Sequence, residues 1–275
     1  MKRLSLILFV ALAGFLALGN SRAQAVTVLD LTDGTLSGFI DSALFSLTDQ
    51  TGSGSGNIKA FVQIDGGVVE EAYNTTVNNV FDNKSDDTHN HEIILASVPL
   101  VTIGGIDYRE FLLDIGEPGD ADKKLLSLDE IQLFVSDTAN QFVGTKTGGI
   151  VDLAANPPVP LYQLDAGGDH AILLDSTLAG GQGQQDMFAY VPDSLFPGAG
   201  TQFVYLYSRF GEQPGAINEG SFEEWAVRVV DNPPCEQTRT CGGNGGTVPE
   251  PSSLLLMGSG FLGAFRFRSF RKLRA

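Results

Sequence analysis

The chain has 275 residues with 17 basic and 33 acidic side chains, a formal charge of −16 at pH 7. Such an acidic excess repels phosphate backbones, which excludes nucleic-acid binding, while 43% apolar residues are too many for a disordered acidic tail. Without the three basic residues near the start and the five basic and one acidic residue at the end, residues 26–249 keep nine basic and 32 acidic side chains, a balance of −23. That surface favours solubility and divalent cations.

In chain order, Lys2 and Arg3 precede an apolar run from Leu4 to Leu18, and Ala23-Gln24-Ala25 is a small-x-small cleavage site. This predicts a secretory leader over 1–25 and a mature chain starting near Val26. Strands are predicted at Val26–Leu31, Ala43–Thr48 and Ile58–Ile64, with a Gly/Ser loop at 51–56 between the last two. Further strands are predicted at Glu92–Leu95, Leu100–Ile103 and Tyr108–Ile115, the last two joined at Gly104-Gly105, and a cleanly alternating one at Glu130–Ser136. Shorter segments at Ile150–Leu153, Leu161–Leu164 and Ala171–Leu174 lead to Met187–Val191, Phe203–Tyr207 and Phe222–Val230. No segment of this body sustains a helical period. The fold class expected is all-β, an antiparallel β-sandwich or jelly-roll-like domain over 26–230. Asn156-Pro157-Pro158-Val159-Pro160 reads as a long connection within that one domain. Residues 231–247 form a Gly/Pro linker in which Cys235 and Cys241 are expected to close a small disulfide.

Candidate chemistry in the body is sparse. Asp120-Ala121-Asp122 begins like a calcium loop, but Lys124 and Leu125 occupy positions where an EF-hand needs a ligand and a glycine. Asp114, Asp120, Asp122 and Asp129 are the four acids that could still share one calcium between loops; otherwise no cofactor is expected. His89 and His91 are two apart and share a face if extended, but the polar stretch around them reads better as a solvated loop. Trp225 is the sole tryptophan. It is either a core aromatic of the final strand or a sugar-stacking platform beside Tyr205 and Tyr207. Adjacent acids such as Glu223-Glu224 and Asp129-Glu130 point to opposite faces of a strand, so neither pair can flank a glycosidic bond. No nucleophile elbow or phosphate loop is present, and no enzyme activity is expected.

The last stretch is the most informative. Pro249 and Pro251 flank Glu250, Leu254 to Phe265 is apolar, and Arg266, Arg268, Arg271, Lys272 and Arg274 close the chain. The prolines hold the backbone extended, and a helix from Ser252 to Phe265 would be roughly 21 Å long against a bilayer core of about 30 Å. This arrangement over 248–275 resembles the PEP-CTERM sorting signal, from which it departs in the phenylalanines that interrupt its basic cluster. The resemblance implies a protein of a Gram-negative bacterium, exported and then held transiently in the inner membrane by its C-terminal helix. There an exosortase would cut near Pro249-Glu250-Pro251 before release to the outer surface. It also implies a structural or adhesive role linked to exopolysaccharide, biofilm or floc. The runner-up is a carbohydrate-binding, lectin-like module, with calcium as its candidate ion; an exopolysaccharide hydrolase is third.

Overall fold

The computed structural model describes residues 27–47, 58–76, 80–84, 88–118, 123–141, 143–154, 159–178, 186–198, 200–220 and 222–229. The chain divides into two compact units, Met1–Pro233 and Pro234–Ala275. The second unit lies outside the described residues, as do the leader, Asp120, Asp122, Cys235, Cys241 and the proline-flanked Glu250. Among the described residues no helix is long and apolar enough to cross a membrane.

The described part of the first unit is built from strands: β1 (Thr27–Asp30), β2 (Ser37–Ile40), β3 (Ala43–Leu47), β4 (Ile58–Ile64), β5 (Glu70–Tyr73), β6 (Ile93–Ile94), β7 (Leu100–Ile103), β8 (Ile106–Ile115), β9 (Leu125–Ser136), β10 (Lys146–Thr147), β11 (Ile150–Val151), β12 (Tyr162–Gln163), β13 (His170–Asp175), β14 (Met187–Pro192), β15 (Phe203–Phe210) and β16 (Glu223–Arg228). They form two seven-stranded sheets and a small ribbon, β10-β11. Sheet one runs β1-β13-β9-β15-β5, with β12 also on β9 and β6 also on β15; sheet two runs β2-β3-β14-β8-β16-β4, with β7 also on β8. All pairings are antiparallel except β1 with β13, which is parallel. Strands from before and after the 156–160 proline segment sit in both sheets.

Period-two alternation places the core. Phe111, Leu113 and Ile115 of β8, Met187, Ala189 and Val191 of β14, and Trp225 and Val227 of β16 face inward from sheet two. They meet Leu126, Leu128, Ile131 and Leu133 of β9 and Val204, Leu206 and Phe210 of β15. The switch from even to odd inward positions in β9 is a β-bulge: Arg209 pairs with Glu130 but Phe210 with Leu128, leaving Asp129 over. Sheet one is covered on its outer face too. There Tyr73, Phe134, Tyr205 and Tyr207 pack with Val80, Val151 and Leu153. The β7-β8 hairpin turns at Gly104-Gly105 with φ of +61° and +85°, a conformation open to glycine and matched to strand twist.

Trp225 is a core residue with no exposed surface, and its indole Nε1–H donates to Ser208 Oγ of β15 at 3.0 Å. It offers no face for a sugar to stack on. Tyr205 and Tyr207 lie in the layer outside sheet one, while Trp225 enters from sheet two, so sheet one separates it from them. Removing this side chain is expected to cost about 3–5 kcal/mol in Trp225→Ala, read as a lowered urea midpoint. Trp225→Phe strands the buried Ser208 hydroxyl and is expected to cost about 1–3 kcal/mol. A Trp225→Ala protein as stable as the parent would show that the two sheets do not close on this residue.

Candidate functional site

Of the four acids proposed to share calcium, two are described, and they lie apart. Asp114 alternates with inward Leu113 and Ile115, so it faces out from sheet two. Asp129 sits in the bulge of sheet one, where Ser127 Oγ, the Glu212 N–H and the Gln213 side chain donate to its carboxylate. Two sheets pack about 10 Å apart, and these acids leave from opposite outer faces, so one ion cannot bind both. The spacing in sequence concealed this, because Asp114 and Asp129 belong to consecutive strands of different sheets. Among the described residues no three Asp, Glu, His or Cys side chains form a ready metal cage.

The structure instead gathers acids that the sequence does not single out. β4, β8, β13 and β15 end, and β5, β9, β14 and β16 begin, at one end of the sandwich. Glu70, Glu117 and Glu223 are buried there, at 0%, 1% and 0% exposure. Glu70 starts β5 in phase with inward Ala72, and its Oε2 accepts the Gly66 N–H at 2.8 Å. Glu117 lies two residues beyond Ile115, and both its oxygens accept the Glu219 N–H at 3.1 Å. The segment 211–220 closes this end: Gly211 has φ +86°, and a Cβ there would meet the Val68 carbonyl oxygen at 2.1 Å. A second group faces outward, where the Asp186 carboxylate accepts the Ile115 N–H at 2.8 Å and feels the charges of Asp114 and Asp175.

Burial makes these acids hold their protons. Desolvation pushes the Glu70 and Glu117 carboxyls up to about 7, against the pull of backbone N–H donors in each case. Glu130, on the outer face of sheet one, is also raised to about 7, by desolvation first and then by the charge of Asp165. Asp186 is raised to about 8 by the same cause. Beside Glu130 lies a polar network in which Lys146 Nζ and the Tyr207 hydroxyl both donate to Glu71 Oε2, and Lys146 also reaches Tyr207 at 3.1 Å.

His91 lines two half-open cavities of about 350 and 440 Å³ along the edge of β4 away from β16, and His89 lines the smaller. His91 borders both, and Glu224 and Lys59 border the smaller. The His91 N–H donates to the Phe61 carbonyl at 3.0 Å, so this stretch is laid along β4 rather than being a free loop. A signal for the buried acids was present in the sequence: Glu70-x-Ala72 and Glu223-x-Trp225-x-Val227 put acids in phase with core residues.

The raised carboxyls set a pH dependence. Their folded values lie above the unfolded ones, so the folded chain binds these protons more tightly. The stabilisation is complete below about pH 4 and is lost as pH rises through 7 to 8. In metal-free buffer the melting temperature is expected to fall between pH 5 and pH 8.5, and Glu70→Gln, which keeps the shape without the charge, to flatten that fall. A melting temperature that is constant or rises over this range would contradict the buried-acid assignment.

Among curated proteins and among solved structures, nothing matches this chain. Residues 247–272 match the family of the PEP-CTERM protein-sorting motif. That motif is an exosortase recognition signal and implies export with sorting to the cell surface, which makes exosortase the processing partner. In sequence this sorting motif follows the all-β body that carries the buried acids, and its match over residues 247–272 is consistent with a PEP-CTERM domain-containing protein.

Proposed function

We propose that this is a structural or adhesive protein of the cell surface or extracellular matrix, linked to exopolysaccharide or biofilm, and that it works without catalysis. One observation carries the reading: the sorting motif at 247–272 follows a β domain in which Trp225, Tyr205 and Tyr207 are all spent on packing. A sandwich closed on both faces of sheet one is suited to persist outside the cell. Its charge balance of −23 over residues 26–249 keeps copies apart and soluble until they are placed. Cleavage of the leader after Ala25 and a transient stay in the inner membrane, with the segment after Pro251 as the anchor, complete the route. Released chains would then meet the cell's own exopolysaccharide.

Replacing Pro249-Glu250-Pro251 by alanines is expected to leave an uncut protein in the inner-membrane fraction, detected with a tag ahead of the linker. Deleting the whole chain is expected to weaken floc or biofilm cohesion without changing growth in suspension. Normal release of the alanine variant would sink the processing route. Unchanged cohesion in the deletion strain would sink the adhesive role.

A further inference from the structure

We propose that Glu70 and Glu223 together bind one calcium ion inside the acidic end of the sandwich. Alternation along β16 puts Glu223 on the core face with Trp225 and Val227, and the register sets it between Ile64 and Ile115, both buried core residues. Trp225 reaches Ser208 of β15 across the core, so two residues nearer the end Glu223 stands over Phe210. Phe210 is the in-sheet partner of Glu70. Strand register and the Trp225–Ser208 bond thus direct both carboxylates into the same end of the core from opposite sheets. Both oxygens of Glu223 and Oε1 of Glu70 are buried without a hydrogen-bond partner in good geometry, and the Asn218 side chain lies beside Glu70 and pulls its carboxyl down.

Two ionised carboxylates without a cation are an expensive arrangement in a protein interior. No described lysine or arginine pairs with either one; Lys84 and Lys123 are engaged with Asp65 and Glu219. A single divalent cation balances the two charges and uses the three open oxygens. Only oxygen ligands are offered, with no histidine or cysteine among them, which selects calcium or magnesium over zinc or copper. Ligands brought from two sheets suit the irregular coordination of calcium better than the strict octahedron of magnesium, with main-chain carbonyls and waters filling the remaining positions. The requirement is for two carboxylates, not the three of a ready cage. Glu117 serves differently. Its oxygens are held by the Glu219 and Gly220 amides, and it adds negative potential beside the ion. This site is separate from Asp114 and Asp129, and it does not depend on the adhesive reading.

The test uses the full chain, stripped with EDTA and titrated at pH 8 with calcium chloride, and in parallel with magnesium chloride. Equilibrium dialysis with radioactive calcium is expected to show one ion bound per chain. The melting temperature is expected to rise by about 5 °C or more at a hundredfold excess over the dissociation constant, and less with magnesium. Glu223→Gln and Glu70→Gln are each expected to lose that ion while Trp225 fluorescence stays that of the folded protein. If one variant fails to fold, the other decides. No bound calcium, an equal rise with both cations, or full binding by a folded Glu223→Gln or Glu70→Gln protein would each overturn the proposal. A response to calcium that survives both substitutions would place the ion elsewhere.

Discussion

The contact that the rest of this sandwich hangs on is the burial of Trp225 against Ser208, the largest side chain of one sheet tied by a hydrogen bond to the other. A sandwich core must be filled from both inner faces at once, and a large aromatic with a satisfied N–H does so while specifying one alignment of the sheets. Once Trp225 is seated, alternation settles its neighbours. Val227 continues the core, and Glu223, two residues the other way, has nowhere to point but the closed end beneath Phe210. The acid is buried as a consequence of the tryptophan being buried.

Electrostatics and packing thus pull against each other at that end. Desolvation penalises the charged form of Glu70, Glu117 and Asp186, and backbone N–H donors offset only part of the penalty. Two other buried acids are held by cations. Glu110, at the middle of sheet two's outer face, is gripped by Arg228, and Asp175 by Lys124 and Thr177. The contrast is between Glu110 and Asp175, each gripped by a cation, and Glu70, Glu117 and Asp186, which accept from backbone N–H groups.

Some of this was readable from residue order. Ile58–Ile64 and Leu100–Ile103 form where β-branched and aromatic residues cluster between turn signals, and Gly104-Gly105 makes the hairpin that its composition suggests. The alternation that marks β9 in the sequence begins only at Glu130, because the bulge at Asp129 breaks the period and hides the stretch from Leu125 to Leu128. β2 carries a glycine whose missing Cβ leaves room for Leu29, and a short run around Gly38 does not read as a strand. The β10-β11 ribbon is only two residues a side, and its apolar content shows only against Tyr207 and Phe134. Asp114 and Asp129 looked like partners because separation in sequence says nothing about which sheet a strand joins.

By itself the sequence determined the address and the class. Prolines, an apolar run and a cationic end act through local chemistry that needs no fold, and the residues 247–272 carry the sorting motif in any conformation. Short alternating segments punctuated by glycine likewise commit the body to strands. Only the tertiary structure decided which acids are buried and which tryptophan face, if any, is open. Those outcomes depend on which strand lies opposite which, a matter of long-range register that no local pattern records.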